Sequence, residues 1–121
     1  MIAGTQFTIQ PLPALRVRPN LTAGLAEVQA ECEADRATCL VCEDVVIVFD
    51  LRARDGALEM FVWLAVALKH GAFERQAAAV CAVARDLGAT TVAFESRRRG
   101  WARRLGPEWH PRGTREFVRE V

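Results

Sequence analysis

The chain contains no tyrosine, so no phenol hydroxyl is available to act as a general acid. It has one lysine, Lys69, against fifteen arginines, a bias that reflects a GC-rich coding sequence more readily than a site. No apolar run approaches the roughly 18 residues that a membrane-spanning helix needs; the longest, Val45–Phe49 and Phe61–Leu68, are strand-sized. The opening residues Met1 to Gln6 lack the charged region of a signal peptide. Internal repeats, low-complexity tracts and linkers are also missing, which leaves one domain spanning residues 1–121. With 51% hydrophobic residues, 26% charged residues and a net charge of +1, the composition excludes disorder as the main state.

Four cysteines are present, Cys32, Cys39, Cys42 and Cys81, all in apolar-periodic segments, and they read as reduced core thiols of a cytoplasmic product. Cys39-Leu-Val-Cys42 has the spacing of a zinc knuckle. An offset of three on a strand, however, sends the two thiols to opposite faces, and no second pair has compatible spacing, so no metal is expected. The near-neutral charge hides an asymmetry: nine acids against three arginines from Glu27 to Glu59, and eight arginines against three acids from Ser96 to Val121.

Along the chain, Thr5–Gln10 alternates with Phe7 and Ile9 on one face and predicts a first strand that ends at Pro11 and Pro13. Thr22 suits an N-cap, and Leu25, Val28 and Cys32 at helical spacing predict a helix to about Arg36. Three β-rich stretches follow, Thr38–Cys42, Val45–Arg52 and Ala57–Leu68, separated by Glu43-Asp44 and Arg54-Asp55-Gly56, and these predict an antiparallel meander. From Gly71 the period turns helical, with Phe73, Ala77, Val80, Cys81, Ala84 and Leu87 on one side and Gly88 as the stop. Thr90–Glu95 resumes as a strand, Arg98–Leu105 predicts a short basic helix, and Thr114–Val121 a last strand. The resulting order, β-α-β-β-β-α-β-α-β, is an α+β domain with a central mixed sheet and a β-α-β crossover.

This order, with a long helix directly after the third meander strand and a short helix before the last strand, resembles the GNAT N-acetyltransferase superfamily. Asp86–Glu95 is similar to the end of that family's acyl-CoA helix and its following strand, and Trp101–Trp109 to its late helix and Leu-Gly turn, with Leu105-Gly106 kept. The resemblance implies an acyl-CoA N-acyltransferase architecture, with the cofactor's pyrophosphate held by backbone amides at the long helix's start. There His70, Gly71 and Ala72 would hold acetyl-CoA if it binds. The family's Arg/Gln-x-x-Gly-x-Gly/Ala loop is replaced by Leu68-Lys69-His70-Gly71-Ala72-Phe73, with one glycine and a phenylalanine in place of a small residue. The tyrosine that many members use toward the departing thiolate has no counterpart, and a base is imaginable only at Glu59 or Glu95.

Ser96–Leu105 is also similar to the late helix of small GNAT-like proteins encoded beside the structural genes of tailed bacteriophages. The resemblance implies a catalytically degenerate domain, with no catalytic residue and no cofactor, serving in a virion or in head-to-tail assembly as one of multiple copies among other virion proteins. The expected partner surface is Arg97, Arg98, Arg99, Trp101, Arg103 and Arg104, which can dock on a neighbour's carboxylates or bind phosphates of nucleic acid. Two alternatives remain open: an active acyl-CoA-dependent N-acetyltransferase and a nucleic-acid-binding accessory protein. His70 and His110, the latter in an expected loop between Trp109 and Pro111, read as solvated or hydrogen-bonded. Phe61 and Trp63 share one face of the third meander strand and are expected in the core.

Overall fold

The two longest apolar stretches of the chain form a hairpin because Asp55 and Gly56 both adopt positive φ, 52° and 79°, which makes a two-residue turn whose twist matches that of the flanking strands. In the computed structural model, which describes residues 8–9, 30–96 and 105–121, this hairpin is the centre of a mixed sheet. The strands are β1 (Thr8–Ile9), β2 (Thr38–Val41), β3 (Val45–Arg54), β4 (Ala57–Ala67), β5 (Thr91–Glu95), β6 (Trp109–Arg112) and β7 (Glu116–Glu120), arranged β1-β2-β3-β4-β5-β7-β6. Among the described strands only β4 and β5 run parallel, and helix α1 (Ala72–Asp86) joins them. The protein is thus a single α+β domain, with a second helical segment at residues 30–33 and no helix among the described residues long and apolar enough to cross a membrane.

Alternation along the strands separates two apolar layers. Leu40, Val45, Ile47, Phe49, Met60, Val62, Val92 and Phe94 face α1, which meets them with Ala72, Val80, Cys81 and Ala84; its small residues let the helix lie close to the sheet. On the opposite face Ala37, Cys39, Val46 and Val48 pack together with Cys32, Val41 and Leu64. Cys39 and Cys42 therefore belong to different layers, as their odd offset requires. All four cysteines are free; Cys39 and Cys81 are buried, whereas Cys32 and Cys42 are half-buried.

The helix begins where the sequence places it, at Gly71, whose φ of 71° is the left-handed conformation that favours glycine. It ends at Asp86, one residue before the last of its apolar side: Leu87 caps it and is 45% exposed, and Gly88 at φ 89° turns the chain away, as the sequence places it. The helical segment at residues 30–33 likewise ends short of Arg36, whose guanidinium binds Glu31 instead. The basic helix expected at Arg98–Leu105 lies outside the described residues, apart from Leu105.

One strand was not foreseen. Trp109–Arg112 is β6, so His110 stands on a strand and not in a loop. Pro111 argues against a central strand, but β6 is the sheet's edge, where a missing N–H costs no ladder hydrogen bond. An aromatic cluster holds this region to the helix. Phe94 lies 5.7 Å from Phe73, 5.2 Å from Trp109 and 5.4 Å from Phe117, ring centre to ring centre.

Candidate functional site

The sheet opens at the carboxyl ends of its parallel pair. Pairing of β4 with β5 runs from Glu59–Thr91 to Val62–Phe94 and stops there, although β4 continues to Ala67. At the same point β3 and β4 shift register: Val48 pairs with Leu64 and Phe49 with Val62, so Trp63 is an extra, bulged residue. Crevices at the carboxyl ends of parallel strands are where open sheets of this kind commonly hold ligands. Here the opening is a concavity of about 400 Å³ lined by Arg52, Phe61, Val62, Trp63, Glu95 and Ser96.

Phe61 and Trp63 do share a face, the one opposite α1; Phe61 is buried as expected, Trp63 is half-buried, and both line this concavity. The Arg52 guanidinium lies 3.9 Å from the Phe61 ring centre and 5.9 Å from that of Trp63. Its Nε donates to both Asp50 carboxylate oxygens, at 2.9 and 3.1 Å, which fixes the plane of the group and leaves its terminal nitrogens without an acceptor among the described residues. The Trp63 Nε1–H is buried without an acceptor among the described residues.

Glu59 cannot serve as a base. It is 1% exposed, and Arg112 grips it with both terminal nitrogens, at 2.7 and 3.0 Å. Thr91 Oγ1 donates to it at 3.1 Å and Arg54 Nε lies at 3.3 Å. The hydrogen bonds from Arg112 hold the Glu59 carboxyl below the usual range despite its burial, with the charge of Arg112, Thr91 and Arg54 adding to the effect. Arg112 is raised in turn by Glu59 and also binds Glu116 at 2.7 Å. Glu95 is different: its carboxylate has no hydrogen bond or ion pair among the described residues, and it lies at the concavity.

The helix start, with His70, Gly71 and Ala72, is a separate locus, without a side-chain cap, whose neighbouring cations are paired with acids. Asp44, from the β2–β3 turn, accepts from Gln76 at 3.1 Å and lies 3.3 Å from Lys69 Nζ and 3.8 Å from Arg75 Nη2. Its carboxyl is lowered by the Gln76 hydrogen bond and by the two cations. Lys69 also binds Glu43 at 2.8 Å, and Arg75 donates to the His70 carbonyl at 2.5 Å. Phe73, standing where a small residue would serve a phosphate, packs against Phe94 and Trp109.

Of the expected site residues, His70, Gly71 and Ala72 are contiguous at the helix start, while Arg97, Arg98, Arg99, Trp101, Arg103 and Arg104 lie outside the described residues. Arg52, Asp44 and Arg112 are not among the residues expected from the sequence. The available signal was Asp50, Arg52 and Arg54 at alternate positions of an otherwise apolar strand, which places three charges on one face. Among the described residues no group of three His, Cys, Asp or Glu side chains could hold a metal ion. No protein-family model matches the chain, and no curated protein matches it significantly.

Proposed function

We propose that the chain is a non-catalytic interaction protein with a GNAT-like fold, used as a structural component of a larger assembly. In its most specific form this is a part of a tailed-phage particle at the head-to-tail region. The observation that carries the reading is the pairing of the cations beside the helix start. Lys69 and Arg75, the two cations that could face a pyrophosphate, are engaged by Asp44, Glu43 and the His70 carbonyl. A diphosphate arriving there meets a fixed carboxylate, and like charges at such range oppose binding. The ion-paired Glu59 and the lack of any tyrosine remove two further elements of acyl transfer.

The experiment is calorimetry with acetyl-CoA. No binding is expected at millimolar ligand; micromolar affinity would overturn the non-catalytic reading. An active acyl-CoA-dependent N-acetyltransferase is the second reading, favoured by the parting of β4 from β5 beside a helix that starts at a left-handed glycine. In that case His70, Gly71 and Ala72 would hold the cofactor, and affinity would vanish in Gly71→Trp. The nucleic-acid reading rests on Arg97–Arg104 alone, outside the described residues.

A further inference from the structure

Two features of the β4–β5 concavity ask for a partner of defined chemistry. The first is an unbalanced charge. Glu95 stands directly opposite Glu116 across the β5–β7 ladder, an arrangement in which like charges repel. Glu116 is compensated by Arg112 at 2.7 Å, with Arg54 at 4.0 Å, but Glu95 has no cation among the described residues. The second is a set of uncommitted donors. Asp50 takes only the Nε of Arg52, so the two terminal nitrogens of that guanidinium have no acceptor among the described residues, while Phe61 holds the group in place from below. Asp50 neutralises Arg52, so with Glu95 the described residues of the concavity carry one net negative charge.

We propose that this concavity docks an extended segment of a partner protein that carries an arginine or lysine. The inference rests on the interaction-protein reading above and names the partner's chemistry. The cationic side chain pairs with Glu95 and lies along the exposed part of Trp63, while a backbone carbonyl of the same segment accepts from Arg52. Each need of the site is met by one part of such a segment: the lone carboxylate by the cation, the free guanidinium nitrogens by the carbonyl, and the aromatic wall by the aliphatic stem. An acidic peptide or a nucleic-acid phosphate would satisfy Arg52 but face Glu95, and the site's net charge disfavours both.

The test follows the indole N–H signal of Trp63, assigned with Trp63→Phe, in two-dimensional nitrogen–proton spectra of the full chain. The probe is a blocked tripeptide with a central arginine, compared with the same peptide carrying citrulline or glutamate. The Trp63 signal is expected to move saturably with the arginine peptide. Binding should weaken roughly five-fold in Glu95→Gln or with citrulline, as befits one exposed ion pair. No movement, equal binding by Glu95→Gln, or equal binding of the glutamate peptide would each overturn the proposal. Acetyl-CoA added to the same sample separates the two levels: shifts confined to the Gly71 and Ala72 amides would defeat the non-catalytic reading and leave the peptide result standing.

Discussion

Replacing Arg112 with methionine tests the strongest electrostatic feature of the fold. The change removes both bonds to Glu59, at 2.7 and 3.0 Å, while keeping most of the side chain's bulk. Glu59, 1% exposed, then retains only Thr91 at 3.1 Å and Arg54 at 3.3 Å. Removing one partner of a buried pair costs about 3–5 kcal/mol. Because Arg54 and Thr91 remain and Arg112 is itself partly exposed, the expected loss lies at the lower end, about 3 kcal/mol, or about 10 °C in Tm. The pH dependence supplies a second readout. Glu59 has a lower pKa folded than unfolded, so its stabilisation is fully present above the unfolded carboxyl value of 4.5 and is lost as pH falls through the folded value. Wild type should therefore lose stability on acidification below about pH 4.5, and Arg112→Met should lose less over the same interval. Thermal melts at pH 7 and urea denaturation at stepped acid pH measure the two. A Tm within about 2 °C of wild type, or an unchanged acid slope, would refute the assignment. Glu59→Leu combined with Arg112→Met should recover much of the loss, since a well-packed apolar pair often equals a buried ion pair.

Reversing Arg98 and Arg103 to glutamate should leave Tm nearly unchanged while abolishing co-purification with an acidic partner or incorporation into particles; a large fall in Tm would make the cluster structural. The thiols should resist alkylation unequally. Burial pushes Cys39 up to about 11 and raises Cys81 as well, so mass spectrometry at pH 7.5 should find both unmodified until denaturant is added. The protein is expected to fold in reducing buffer with chelator and to contain no stoichiometric zinc; one zinc per chain, lost with stability in Cys39→Ser, would contradict this. Gly71→Val forces a β-branched residue to a φ of 71°, where its Cβ would also come within 3.1 Å of Arg75 Nη1, and should cost about 1–3 kcal/mol by urea denaturation.

The sequence by itself determined what depends on neighbours in the chain. Asp55-Gly56 dictates a tight turn because two consecutive positive φ angles suit those residues, and the hairpin register follows from the turn. Gly71 and Gly88 bound the long helix for the same local reason, and the apolar periods assign β3, β4 and α1 to their elements. The odd offset of Cys39 and Cys42 already places them in different layers. Tertiary structure decided everything that depends on which strands meet. Pro111 forbids a central strand but not an edge, and only the pairing of β6 with β7 shows which it is. The bulge at Trp63 exists only in the register between β3 and β4, so the wall of the concavity has no local signature. Glu59 looks equally like a base or a structural acid until Arg112, 53 residues away, closes on it. The cations beside the helix start look ready for an anion until Asp44, 32 residues before Gln76, is seen to pair with them. Turns and periods arise from backbone sterics over a few residues, whereas charge partners come from sheet order and register, which the whole core fixes together.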